Sequence, residues 1–407
     1  MISLTRRHAL ALGTAAALPL GRMSWAATGV TGKRLVVVFL RGAVDGLNVV
    51  VPYSERAYYD HRPTIAVPQP GKENGALDLD GQFALHPALA PLMPLWRDGS
   101  LAFVHASGSP DTSRSHFDAQ DYMESGTPGV KTTPDGWMNR LLAQLPGDRG
   151  ATAALSFGPT LPRIFSGAMT VANIPLGRSA TAAMPLDRPI INAAFDKLYA
   201  GNDALSRAYQ EGLQSHRKVM ADLQADMMQA DNGAPSPVTF GQDAEHLAQL
   251  VKQDPSVELA FFALGGWDTH VNEGAAEGQL AQRLRPLGQG LADLVRGLGP
   301  AYKDTVIVVM SEFGRTAREN GNRGTDHGHG NVMWVMGGPV AGGKVYGQWP
   351  GLNEDALYEG RDLAVTTDFR SVIAALGRDH LKLNAAQFAK VLPDAPDGAQ
   401  VSGLIRA

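Results

Sequence analysis

Cysteine is absent from all 407 residues. That excludes disulfides, zinc–thiolate sites and cysteine nucleophiles, and leaves the compartment open. A charge excess of one sign is also missing. Lys plus Arg number 36 and Asp plus Glu 40, for a formal net charge of -4. Nothing in that balance favours broad nucleic-acid or anionic-membrane binding. The chain lacks the Walker and dinucleotide glycine fingerprints, a G-x-S-x-G elbow and an H-E-x-x-H pair. No internal repeat is evident. What the chain has in quantity is glycine, 46 residues, with 26 prolines and an ordinary 44% of apolar residues. That composition points to a globular α/β chain with many long loops, as one large domain with insertions or as two domains.

The first residues carry a separate signal. Arg6 and Arg7 precede a short apolar segment, residues 9–20, and Ser24-Trp25-Ala26 offers a small-x-small cleavage site. This pattern reads as a twin-arginine signal over residues 1–26, followed by a mature chain in the periplasm or outside the cell. The segment is too short and too weakly apolar for a stable transmembrane helix. No later stretch reaches membrane-spanning length, so the mature chain is expected to be soluble without a transmembrane segment.

Five apolar runs read as buried strands: residues 35–40, 101–106, 258–264, 306–310 and 332–336. Helical periodicity follows several of them, at 117–123, 280–298 and from Phe369 onward, where Thr366-Thr367-Asp368 supplies a cap. Residues 86–96 also fit a helix, made irregular by prolines. Residues 128–255 differ in character and read as a largely helical insertion or lid, with its longest periodic stretch at 190–228. The main α/β domain spans 33–385 and a tail covers 386–407. Strand, acidic or hydroxyl-rich loop, then helix is a recurring order. It predicts a three-layer α/β/α sandwich with a mainly parallel central sheet and function gathered at one sheet edge.

The strand ends hold the chemistry. Asp45 follows the first run, and Thr112, Ser113, Arg114, Ser115 and His116 follow the second. Asp268 and His270 follow the third; Glu312, Arg315, Asp326, His327 and His329 fill the loop between the last two. Carboxylates and imidazoles together are the usual donors for Zn, Mn or Fe where thiolates are absent. Arg41, Arg114 and Arg315 are candidates for clamping a tetrahedral anion. Asp45 and Asp268 also fit ordinary turn and capping patterns. His61, His86, His105 and His246 stand alone and read as structural or exposed.

The blocks VVVFLRGAVDGLNVVVPY, SRSHFDAQDYMESG, GGWDTH and SEFGRTARENGNRGTDHGHG resemble the twin-arginine-exported bacterial family of unknown function numbered 1501. That family is similar in fold to the alkaline phosphatase and sulfatase superfamily. The resemblance implies an alkaline phosphatase-like sandwich and metal-dependent hydrolysis of phosphate or sulfate esters, with a non-catalytic binding or assembly protein as the alternative. It implies one or two divalent ions (Zn, Mn or Ca) on Asp45, Asp268, His270, Glu312, Asp326 and His327 or His329. It implies a hydroxyl nucleophile at Thr112, Ser113 or Ser115, with His116, Arg114 and Arg315 as further catalytic groups. Partners would be a small anionic ester or an exported protein. The chain departs from the superfamily pattern at Glu312-Phe313, where an Asp-His pair is usual and Phe313 cannot bind metal. It departs again at Asp268 and His270, which are only two residues apart.

Overall fold

The computed structural model describes residues 32–147, 150, 152–174 and 230–406. The twin-arginine segment and the periodic stretch 190–228 lie outside the described residues. The first apolar run becomes β1 (Arg34–Leu40), buried along its whole length. Its side chains alternate between two cores. Val36, Val38 and Leu40 join one apolar cluster, and Leu35, Val37 and Phe39 join the other. A strand covered on both faces needs apolar residues at every position, which explains the unbroken run LVVVFL.

The remaining strands follow in chain order. A small antiparallel sheet holds β2 (Val50–Val51), β3 (Leu77–Asp78) and β4 (Ala84–Leu85). The large sheet adds β5 (Leu101–Gly108), β6 (Ala154–Phe157), β7 (Ala172–Ile174), β8 (Leu259–Leu264), β9 (Thr305–Ser311), β10 (Asn331–Gly337), β11 (Lys344–Tyr346) and β12 (Thr367–Asp368). Its order is β11-β5-β10-β9-β1-β8-β6-β7, with β12 beside β5. Every pairing in it is parallel except those of β10, which runs antiparallel to β5 and β9. The expected mainly parallel sheet is therefore present.

Helices cover both faces. Among the described residues, the α-helices of seven residues or more are α1 (His116–Ser125), α2 (Trp137–Gln144), α3 (Phe240–Gln253), α4 (Gln279–Leu298), α5 (Phe369–Ala375) and α6 (Ala385–Val391). Leu247 of α3 and Leu284, Leu287 and Leu291 of α4 pack into the β1 Val36 face. Met138 and Leu141 of α2, Val372 of α5 and Val391 of α6 pack into the Val37 face. The result is a three-layer α/β/α sandwich. Asp368 caps α5 by accepting from Arg370 N at 2.9 Å, as the Thr-Thr-Asp run predicts. Residues 86–96 form a 3₁₀ turn (Pro87–Leu92) and a short helix (Met93–Arg97), because the prolines interrupt one continuous ladder.

The described parts of the 128–255 region build into the sandwich. β6 and β7 extend the main sheet beside β8, while α2 and α3 lie on opposite faces. Among the described residues, no helix is long and apolar enough to cross a membrane.

The reversed β10 positions the site. A parallel strand would have to be entered from the far edge of the sheet. Because β10 is antiparallel to β9, the loop from Glu312 to Gly330 begins and ends at the same edge, where β1, β5 and β8 also end. Ligands of parallel sheets collect there.

Candidate metal centre

Four segments meet at that edge. Gly42, in the turn after β1, has φ +112, and a Cβ there would lie 2.7 Å from Asp268 N. Only glycine allows the β1 and β8 turns to approach so closely. Asn331, at the start of β10, donates from Nδ2 to Val44 O at 3.1 Å and Phe313 O at 2.6 Å. The loop between β9 and β10 folds back on itself through a bridge between Arg315 and His327. Gly328 sits against Arg315 with no room for a side chain, its notional Cβ being 2.4 Å from the Arg315 carbonyl carbon. Ser115 caps α1, receiving Asp118 N at 3.5 Å, and so fixes His116 in the first turn.

Three imidazoles converge there on one carboxylate. His327 Nε2 lies 2.9 Å from His116 Nε2 and 3.0 Å from His270 Nε2. Asp268 Oδ1 lies 3.0 Å from His270 Nε2 and 3.4 Å from His327 Nε2. Asp268 Oδ2 has no hydrogen-bond partner, with His116 Nε2 nearest at 3.7 Å. Ligand atoms of His116, Asp268 and His327 all fall within 4.8 Å of one another.

The other ring nitrogens are held from behind. His116 Nδ1 faces Glu312 Oε1 at 2.7 Å, His270 Nδ1 faces Asp326 Oδ1 at 3.3 Å, and His327 Nδ1 faces the Arg114 carbonyl at 2.8 Å. In the tautomer each contact selects, Nδ1 donates and the Nε2 lone pair points into the cluster. Acceptors behind each imidazole are the usual support of a histidine metal site. A buried carboxylate oxygen without a partner is costly unless something positive sits beside it. The donor set therefore fits a divalent cation.

The electrostatics agree. Burial disfavours charge on Asp268, yet the imidazoles of His116, His270 and His327 beside it and the Arg315 charge hold its pKa far below the usual carboxylate range. Arg315 Nη1 donates to Asp268 Oδ1 at 2.6 Å. Burial also opposes charge on His116, but Asp268 and Glu312 raise its pKa to about 9. His270 is raised against burial by Asp268 and Asp326. His327 is lowered, first by burial and then by the Arg315 and His116 charges. Protons and a metal ion compete for these nitrogens.

The sequence candidates divide sharply here. Asp268, His270 and His327 come together, joined by His116. Glu312 stands one layer back, fully buried, taking Gly42 N at 2.8 Å and Gln120 Nε2 at 2.9 Å besides His116. Asp326 also stands behind, on His270, with its pKa lowered to about 2 by that bond. Asp45 is not brought to the cluster. Both of its oxygens are taken by Arg62, through Nη1 to Oδ2 and Nη2 to Oδ1 at 3.0 Å. His329 also stays apart and packs its ring against Tyr358, 4.8 Å between centroids.

Of the hydroxyls, Ser115 is spent on the helix cap, and Thr112 is exposed. Ser113 accepts from Ser115 N at 3.2 Å and lines a narrow cleft with Glu312, Phe313 and His329. Arg114 is half-buried between Asp362 and Glu359, 2.7 Å from each. Arg41 is buried on Gln120 and Glu124, 2.5 Å from each. Of the solitary histidines, His61, His86 and His105 bond backbone carbonyls of Leu352, Ala275 and Val50 at 2.8–2.9 Å, and His246 is exposed.

Sequence reasoning missed Arg62, Glu273, Gln120 and Glu124. Gln120 and Glu124 follow His116 at four-residue steps on α1, a spacing that places them on one helix face. Arg62 carries no comparable signal, since it lies in a polar stretch that reads as surface.

Solved structures similar to this chain share little sequence with it. They include the lipoteichoic acid synthase LtaP from Listeria monocytogenes, at 9% identity and a TM-score of 0.35, covering 76% of this chain and 66% of that one. The C-terminal periplasmic domain of EcEptC from Escherichia coli, in complex with Zn, matches at 10% identity and a TM-score of 0.38, covering 75% and 72%. A protein in the alkaline phosphatase superfamily from Vibrio parahaemolyticus matches at 11% identity and a TM-score of 0.33, covering 75% and 60%. No curated protein matches. The model of one family, described as a protein of unknown function (DUF1501), matches residues 32–394, and the chain belongs to that family.

Proposed function

We propose that this protein is a metal-dependent hydrolase of phosphate or sulfate esters, exported by a twin-arginine signal and working outside the cytoplasm. The observation that carries the reading is the convergence of three imidazole Nε2 atoms on a buried aspartate with one unpartnered oxygen. His116, Asp268, His270 and His327 would hold one divalent ion. Three nitrogens and one oxygen suit Zn or Mn better than Ca, which prefers oxygen donors. A bound ion would supply positive charge against the ester's anionic oxygens.

The chain's own groups do the rest. Glu312, Asp326 and the Arg114 carbonyl orient the imidazoles. Arg315 keeps Asp268 ionised and turned into the site. The Arg114 guanidinium, only 30% exposed and already paired, neutralises an incoming anion by exchanging partners with Glu359, which is 55% exposed. Ser113, which lines a cleft with Glu312 and Phe313, would serve as the nucleophile.

Metal analysis of exported protein, then an ester screen with Zn, Mn, Mg and Ca across phosphomonoesters, phosphodiesters and sulfate esters, tests this. About one ion per chain with turnover of one ester class is expected. No bound metal and no turnover would reject it.

One observation favours a second reading, a non-catalytic binding or assembly protein. Among the described residues, no hydroxyl of Thr112, Ser113 or Ser115 is hydrogen-bonded to the cluster, and Ser115 serves the helix instead. The triple variant Thr112→Ala, Ser113→Ala, Ser115→Ala separates the two. Partner capture from the periplasm survives it under the second reading, and ester turnover is lost under the first.

A further inference from the structure

His116 is followed on α1 by Gln120 and Glu124 at four-residue steps, and all three are buried. They form one stripe of the helix. A buried helix stripe is ordinarily apolar. Here it is polar throughout, and every hydrogen-bonding group of Gln120 has a partner.

Arg41, in the turn after β1, donates from Nη1 to Gln120 Oε1 and from Nη2 to Glu124 Oε1, each at 2.5 Å. Gln120 Nε2 donates to Glu312 Oε1 at 2.9 Å and to the Ala230 carbonyl at 2.6 Å. Glu124 Oε2 accepts from Ile164 N at 2.9 Å. The Gln120 amide can stand only one way round. A guanidinium only donates, which fixes Oε1 on its side. A carboxylate and a carbonyl only accept, which fixes Nε2 on theirs.

Glu312 Oε1 is thereby held from three directions. Gly42 N reaches it from the β1 turn at 2.8 Å, His116 Nδ1 at 2.7 Å, and Gln120 Nε2 at 2.9 Å. Two residues one turn apart on α1 therefore clamp the same carboxylate oxygen. That fixes the plane of the His116 ring against the helix that carries it. We infer that Gln120 is a positioning residue of the metal centre. Locked by Arg41, it holds the Glu312 carboxylate behind His116, so that the imidazole presents Nε2 to the ion. The inference rests on the metal centre of the proposed hydrolase, and adds to it a residue one step further out than the groups that orient the imidazoles.

The test is the zinc affinity of the full mature protein in a chelator competition, read beside the visible spectrum of the cobalt-substituted form and the urea midpoint. Gln120→Met keeps the length of the side chain and removes both polar groups. It should weaken zinc about tenfold and change the cobalt absorption. Asn139→Leu is the matched control. Asn139 is a buried amide on α2, bonded to the Phe165 and Met169 carbonyls and to Met169 N at 2.8–3.0 Å. Its loss should lower the urea midpoint and leave zinc affinity and the cobalt spectrum unchanged. Arg41→Lys keeps the charge beside Glu124 but lacks the fork that reaches Gln120 as well. It should weaken zinc about threefold, and it decides the matter where Gln120→Met fails to fold. Unchanged zinc affinity in a folded Gln120→Met or Arg41→Lys protein, or an equal loss in Asn139→Leu, would overturn the inference and leave the metal centre standing. A native protein that binds no zinc would reject the metal centre and the positioning role together.

Discussion

Two fully buried aspartates, Asp45 and Asp268, sit at the ends of neighbouring strands β1 and β8, and their surroundings are opposite. Asp45 is saturated. Arg62 takes both of its oxygens, and Arg62 in turn bonds Asn48 Oδ1 and the carbonyls of Thr316 and Ala317. Glu273 shares a hydrogen bond with Asp45, and its pKa is pushed well above the usual value, by burial first and then by the Asp45 charge. Asp268 has one arginine and three imidazoles whose lone pairs point inward, and it keeps one oxygen free. A closed arginine pair needs nothing further. An open aspartate ringed by imidazoles has an oxygen to spare for a divalent cation. The difference teaches that position at a strand end does not make a ligand; unspent donor capacity does.

The comparison can be broken at either centre. The largest expected effect on stability is at the closed one. Arg62→Met leaves Asp45 buried without its partner and should cost about 3–5 kcal/mol in urea unfolding. A loss below about 1 kcal/mol would mean that Asp45 has another cation. Next is the open centre. Glu312→Gln removes the carboxylate charge behind His116 and should weaken zinc about 10–100-fold in a chelator competition, with the fold intact. Unchanged affinity would place the ion elsewhere.

The smallest effect comes from Glu273→Gln, and it depends on pH. A carboxyl whose folded pKa is raised contributes stability below its unfolded value, near 4.5, and loses it as pH rises. Glutamine keeps a donor toward Asp45 and cannot ionise. The variant should match the native protein near pH 4 and become progressively more stable than it toward pH 7. A gain that shrinks with rising pH would show that Glu273 is ionised in the fold.

Much of this molecule is legible in its sequence. The five apolar strands stand out because a sheet covered on both faces favours apolar residues at nearly every position. The helix after Asp368 and the long α4 follow from capping and periodicity. Asp268, His270 and His327 are legible as a group because donors crowd into short glycine-rich loops. The ligation of Asp45 is not legible. Its strand-end turn looks the same whether it faces a metal or an arginine, and Arg62, at the end of a short helix (Arg56–His61), lies in a polar stretch with no local mark. His327 and His329 also look alike. Their separation depends on how the loop crosses Arg315, where Gly328 allows contact and the chain turns His329 toward Tyr358. His116 reads as a helix start beside candidate hydroxyls, and only the approach of α1 to the end of β9 brings it to Asp268 and His327.

The central claim is that the open aspartate, and not the closed one, holds the ion. A zinc-loaded crystal with anomalous scattering recorded across the zinc edge tests it directly. One peak is expected, about 2.0–2.2 Å from Nε2 of His116, His270 and His327 and from an oxygen of Asp268. A peak on Asp45, or no peak among the three imidazoles, would contradict it.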